Sequence, residues 1–199
     1  MSPKPKKSEN VRTIHVKNMT CSCCVRLLRQ ELEVDGIDVK EVKMGAMTLS
    51  IDPGRITWKR IEEMVEKLGF EIIRDKEGQL VEQIKQAIID LVHNTTYNAM
   101  VRNSDYLVER FGMSYPYLST LFSRYEKTTL EKFTIMLKIE KVKELIEYGE
   151  LTLSEIAYMM GYSSVQYLST QFKSVTGVSV TEYKETPSAG RDGIDRVVS

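Results

Sequence analysis

A six-residue string, YLSTLF at 117–122, returns fifty residues later as YLSTQF at 167–172. The likeness extends outward: GMSYPYLSTLFSRYEKTTLEKF (112–133) matches GYSSVQYLSTQFKSVTGVSVTEYK (161–184), with one extra residue in the second turn. A repeat of this length means one supersecondary unit used twice, and it limits the second half of the chain to an architecture that can present that unit as a pair. The flanking pattern says what the unit is made of. From 80 to 186 the apolar residues recur at helical spacing, as in the stripe Leu80, Ile84, Ala87, Ile88 and Leu91, and Gly and Ser turns separate short helices.

The second copy is the more explicit. Thr152 and Glu155 form a T-x-x-E capping box at a helix start. Ile156, Ala157 and Met160 supply a buried face, Gly161 ends that helix, and Val165 to about Val175 forms the next. A small side chain at 157 and a glycine able to take positive φ at 161 suit two helices crossing through a three- to four-residue turn. Val108 and Gly112 stand at the corresponding places of the first copy. There Ser114 can cap the second helix, and Pro116 falls in its first turn, where a missing N–H costs nothing. Between the copies, 130–149 reads as one long helix opened by a second capping box, Thr128 and Glu131, and closed by Gly149. A helix of that length can hold two units about one DNA turn apart.

On these residues, 80–186 resembles the DNA-binding domain of the AraC/XylS family. The features carrying the likeness are the Ile-Ala pair, the Gly-aromatic-Ser-Ser turn, the Phe-Lys pair, Gly177 after the recognition helix and the final Tyr183-Lys184. The resemblance implies two helix-turn-helix units whose recognition helices enter successive major-groove segments on one face of double-stranded DNA. Its base-edge candidates are Tyr115, Pro116, Ser119 and Thr120 in the first helix and Ser164, Gln166, Ser169 and Thr170 in the second. Gln can bond adenine bidentately, whereas Ser and Thr are permissive. Arg124, Lys127 and Lys173 are the phosphate candidates. Leu118, Phe122, Leu168 and Phe172 read as core.

Charge complicates this reading. The chain is neutral overall, but residues 75–199 are net −3 and residues 1–74 net +3, whereas phosphate neutralisation dominates DNA affinity. The expectation is that acids such as Glu140, Glu144 and Glu147 lie on the far face of the connecting helix. A helical repeat that binds only protein is the alternative.

The first 74 residues follow another rhythm. VRTIHVK (11–17), DVKEVKM (38–44), MTLSID (47–52) and FEIIR (70–74) read as strands. Helices run through Val25, Leu28 and Leu32 and through Ile61, Met64, Val65 and Leu68, ended by Asp35-Gly36 and by Gly69. The order β-α-β-β-α-β is the ferredoxin-like one. DKEG (75–78) places a linker at 75–79. Residues 1–10 and 187–199 are expected to be disordered tails. The fold class is therefore α+β: a ferredoxin-like N-terminal domain over 11–74 and an all-α double helix-turn-helix domain over 80–186.

All three cysteines of the chain lie in NMTCSCC (18–24). Three cytosolic cysteines within four residues read as a metal or redox site and not as a disulfide framework. Cys21 and Cys24 form a C-x-x-C pair in a loop after a strand. Cys24 enters the first turn of a helix, where backbone N–H groups and the dipole lower thiol pKa. Two thiolates across such a loop can hold a soft ion such as Cu(I) in near-linear geometry. M-T-C-x-x-C in this frame resembles the heavy-metal-associated domain of copper chaperones and pumps. The resemblance implies Met19 packing under the loop and Phe70 beside it, with Asn18 where a glycine is usual. Cys23 is either a third ligand or a spectator. Zn(II), Hg(II) and Ag(I) are alternatives to Cu(I). A thioredoxin-like redox pair lacks its surrounding sequence here, and a metal domain that is only structural stays open. His15 and His93 read as ordinary strand and helix-surface residues.

No apolar run reaches the ~18 residues of a membrane span, and no h-region follows the lysine-rich start, so a cytoplasmic location is expected. No Ser/His/Asp set, phosphate loop or paired carboxylates point to an enzyme. The reading is a metal-responsive transcription factor with DNA and a soft metal ion as partners, acting alone, as a dimer, or with a copper pump or chaperone. The alternative is a metal-handling protein whose helical half docks onto another protein.

Overall fold

The structure, a computed structural model, describes residues 10–19, 21–52, 54–93 and 101–185. The tails expected at 1–10 and 187–199 lie outside these residues except for Asn10, which opens the first strand. The chain divides into two compact units, residues 1–82 and 83–199.

In the first unit the expected order is observed: β1 (Asn10–Lys17), α1 (Ser22–Val34), β2 (Asp38–Lys43), β3 (Ala46–Ile51), α2 (Trp58–Lys67) and β4 (Glu71–Ile73). The strands form one antiparallel sheet in the order β2-β3-β1-β4. Strict alternation in β3 sends Met47, Leu49 and Ile51 to one face. There they meet Leu28 and Leu32 of α1 and Ile61, Met64 and Val65 of α2 in a single core.

The stretch 75–79, expected as a linker, is instead the start of helix α3 (Lys76–His93). Asp75 explains the difference: its carboxylate accepts from the Gly78 N–H at 2.7 Å, so a polar, glycine-bearing tetrapeptide caps a helix. A side chain at 78 would meet Ile73 and Asp75 at 2.9 Å. Burial along α3 also exceeds the expected stripe. It takes in Val81, Ile89 and Val92 and the polar Lys85 and Gln86, as expected for a helix enclosed on most sides.

The second unit continues with α4 (Asn103–Phe111), α5 (Tyr115–Tyr125), α6 (Leu130–Tyr148), α7 (Leu153–Met159), α8 (Val165–Thr176) and α9 (Val180–Glu185). The repeat is visible as α4-turn-α5 and α7-turn-α8. Gly112 and Gly161 take φ of 64° and 69°, the left-handed geometry that a tight turn between crossing helices requires. The extra residue of the second copy falls in its turn. Ala157 is buried as expected, but its counterpart Val108 is exposed, and Leu107 is the buried residue of α4. The capping box of α7 is complete, whereas α6 is capped by Thr129 through the Lys132 N–H and not by Thr128. Only Thr128 has a glutamate three residues on, so the expected box does not form; the helix begins one residue later, and Thr129 with Lys132 at the third position caps it by the hydroxyl alone.

Candidate nucleic-acid interface and cysteine loop

Helices α5 and α8 repeat one another in exposure as well as in sequence. Leu118 and Phe122 are buried in α5, and Leu168 and Phe172 in α8. Opposite them, positions 116, 117, 120, 123 and 124 are exposed in the first copy and 166, 167, 170, 173 and 174 in the second. Two helices therefore offer the same outward strip at an offset of fifty residues, carried by the 19-residue α6, about 28 Å long at ~1.5 Å per residue.

The strip contains Pro116, Thr120 and Arg124 from the first set of candidates and Gln166, Thr170 and Lys173 from the second. Ser119 and Ser169 lie at its half-buried edge, and Lys127 is exposed just beyond α5. Two candidates differ from expectation. Tyr115 is half-buried against a cleft of about 190 Å³ that it shares with Leu107, Glu131, Lys138, Tyr162 and Tyr167. Burial, with Glu131 adding to it, raises the pKa of its phenol. Ser164 is the N-cap of α8, and its oxygen accepts from the Tyr167 N–H at 3.1 Å, so this oxygen serves the helix start. Two residues on the strip were missed by sequence reasoning, Tyr117 and Tyr167, 44% and 53% exposed. Their positions opposite Leu118/Phe122 and Leu168/Phe172 were the available signal.

The acids of α6 are not displayed to solvent as a group. Glu140 is buried with Lys143 at 2.6 Å, Glu144 holds Lys141 at 2.7 Å, and Glu147 accepts from the Tyr183 hydroxyl at 2.6 Å. Two of the negative charges behind the net −3, Glu140 and Glu144, are thus paired with lysines of the same helix. Among the described residues Lys127 and Lys173 have no carboxylate within 4 Å. Glu140 alone of these acids is buried; Glu144 is half-buried, and Glu147 is exposed on its pairing with Tyr183.

In the first unit, Cys21 is the N-cap of α1, and its sulfur lies 3.7 Å from that of Cys24. Cys21 is exposed, while Cys24 is half-buried against the core. The Cys21 thiol has a raised pKa, opposite to the expected direction for this loop. Desolvation is the largest influence, and the Cys24 thiol adds to it; hydrogen bonds from the backbone N–H groups of Cys24 and Cys23 oppose it without prevailing. Cys23 accepts a hydrogen bond from Arg26 Nη2 at 3.3 Å. Among the described residues no three His, Cys, Asp or Glu side chains gather as a metal site. Met19 is fully buried and Phe70 nearly so, both in the core. Asn18 has φ of 69°, a left-handed geometry that asparagine tolerates better than most residues.

Among the described residues no helix is long and apolar enough to cross a membrane. A family model described as Helix-turn-helix domain matches residues 107–186, which takes in both copies of the repeat. The chain is 27% identical over 105 residues to the raffinose operon transcriptional regulatory protein RafR of Pediococcus pentosaceus, covering 53% of this chain and 37% of that regulator. It is similar to the solved C-terminal domain of AraT, a response regulator from Geobacillus stearothermophilus, at 27% identity and a TM-score of 0.48, over 56% of this chain and 88% of that one. It is also 33% identical over 61 residues to an uncharacterized Haemophilus influenzae protein, which is 30% of this chain and 90% of that one. The chain therefore belongs to one family with the small Haemophilus protein over that stretch, and its second unit matches a helix-turn-helix domain.

Proposed function

We propose that the chain is a DNA-binding transcription regulator that reads two successive major-groove segments with α5 and α8. The observation that carries this reading is the outward strip repeated at an offset of fifty residues on two helices joined by one rigid helix. The strip holds the groups such work needs: an amide at Gln166 for a base edge, hydroxyls at Thr120 and Thr170, and cations at Arg124 and Lys173 for phosphate. Binding to a duplex enriched from a randomised pool tests it. The affinity should fall as salt rises, with Lys173→Ala lowering the slope of log K against log salt by about one. The acidic balance of residues 75–199 favours a protein-docking module instead, and a chain that enriches no duplex supports that reading.

The finer reading concerns the first unit, which we take to be ferredoxin-like from its element and strand order. We take it to hold a soft metal ion between Cys21 and Cys24, with the ion acting as the signal. Two sulfurs 3.7 Å apart, each at a bond length of about 2.3 Å, subtend about 107° at a shared ion. That bite suits a bent or tetrahedral site as it stands. A linear site for Cu(I), the ion first expected, needs the sulfurs to part to about 4.6 Å at the same bond length. Titration of the selected duplex with and without Cu(I) or Zn(II) tests the signal. Coupling of ~1–3 kcal/mol supports it, and equal affinities in all arms refute sensing while leaving DNA binding intact.

A further inference from the structure

The two helix-turn-helix units are not packed together along their whole length. The cleft of about 190 Å³ has Leu107, Tyr115 and Glu131 on one side and Gly161, Tyr162, Tyr167 and Gln171 on the other. On this side polar and aromatic contacts link α6 to the second unit. One of them stands out. Lys138, midway along α6, donates from Nζ to the carbonyl of Met160 at 2.9 Å. Met160 is the C-cap of α7, where helix carbonyls lack intrahelical partners and a lysine is a suitable donor. The same ammonium lies 5.9 Å from the centroid of the Tyr162 ring, within cation–π range. Tyr162 meets Tyr167 edge-on, centroids 5.9 Å apart at 64°, and Tyr167 belongs to the outward strip of α8. Among the described residues Lys138 has no carboxylate within 4 Å, and burial lowers its pKa. A cation this far desolvated is costly to keep unless its contacts matter. Backbone bonds close both turns, the Gly112 N–H to Val108 O at 2.9 Å in the first copy and the Tyr162 N–H to Ala157 O at 2.9 Å in the second.

We propose that Lys138 is a positioning residue that fixes the second reading helix relative to the first, through Met160, Tyr162 and Tyr167, and so sets the spacing between the two DNA segments the protein accepts. This rests on the DNA reading above. One inserted base pair moves the second segment by about 3.4 Å and turns it by about 34°, so a rigid pair of readers must discriminate against it.

The test measures affinity of the full chain for the enriched duplex and for copies with one base pair inserted or removed between the two segments. The wild type should lose about tenfold on either change, the scale of one mismatched contact. Lys138→Met should reduce that ratio to about threefold or less, a loss of discrimination of the same order, while keeping the wild-type affinity for a duplex bearing only the second segment. Lys138→Arg, which keeps charge and donor, should restore the wild-type ratio. A Lys138→Met protein with unchanged spacing discrimination overturns the inference, as does one that loses affinity equally for every spacing. If Lys138→Met does not fold by circular dichroism, Tyr162→Leu takes its place with the same expected loss and the same overturning result. A wild type that enriches no duplex refutes the DNA reading itself, an outcome visible before any variant is compared.

Discussion

The two copies of the helix-turn-helix unit share a sequence pattern but are held in place by different chemistry. The second is fastened by local side-chain caps: Thr152 with Glu155 at α7, Ser164 at α8, and Ser179 with Glu182 at α9. In the first, neither Arg102 nor Ser114 makes a side-chain cap bond. Its second helix ends at Glu126, which takes a salt bridge at 3.4 Å from Lys85, a fully buried residue of α3. Both copies thus combine local caps with long-range ties, since Thr129 caps α6 at the end of the first and Lys138 of α6 holds Met160 of the second; what differs is the number of caps and the cation that supplies the tie, Lys85 of α3 or Lys138 of α6. A duplicated sequence does not by itself duplicate the forces that hold it.

The largest expected effect comes from cutting that tie. Lys85→Met leaves Glu126 without its buried cation and should destabilise the second unit by about 3 kcal/mol, read as a lowered urea midpoint. An effect below about 1 kcal/mol, the level of an exposed pair, would erase the contrast between the copies. Next, Gln166→Ala should cost about 2 kcal/mol in binding to the enriched duplex and relax preference at one base pair. Pro116→Ala, at the matching place, offers no hydrogen bond to lose and should change base preference little.

Smaller effects separate the caps. Thr152→Ala should cost about 1 kcal/mol of stability, whereas Ser114→Ala, whose hydroxyl makes no cap bond, should cost no more than a few tenths. Equal losses would mean that both copies rely on caps. The smallest effect is on pH. Hydrogen bonds from Thr152 and Ser179 hold Glu155 and Glu182 below the usual carboxylate range. Their contribution is therefore present above that range and lost as pH falls through it. In acid titrations monitored by NMR, α7 and α9 should fray before α5.

Much of this was legible in the sequence because it is local. Alternation at Met47, Leu49 and Ile51 marks β3, glycines mark the turns, and the T-x-x-E at 152–155 forms the box it spells. The failures are places where distant packing decides. The spacing of α3 gives no sign that Lys85 is fully buried, with Glu126, 41 residues away, as its ion-pair partner. Tyr115 looks equivalent to an outward reader until the cleft beside α6 turns it inward. The acids of α6, expected together on its far face, are instead held by separate partners, Lys143, Lys141 and Tyr183. At the thiol loop, spacing identifies Cys21 and Cys24 as a pair, but the balance between desolvation and backbone N–H groups that raises the Cys21 pKa is a matter of geometry.

Hydroxyl-radical footprinting on a duplex enriched from a randomised pool addresses the central claim most directly. Two protected segments on one face of the helix, centred about 10 base pairs apart, are the expected result, with the second segment alone weakened by Gln166→Ala. A chain that protects no duplex, or that protects a single segment with both reading helices intact, contradicts the account.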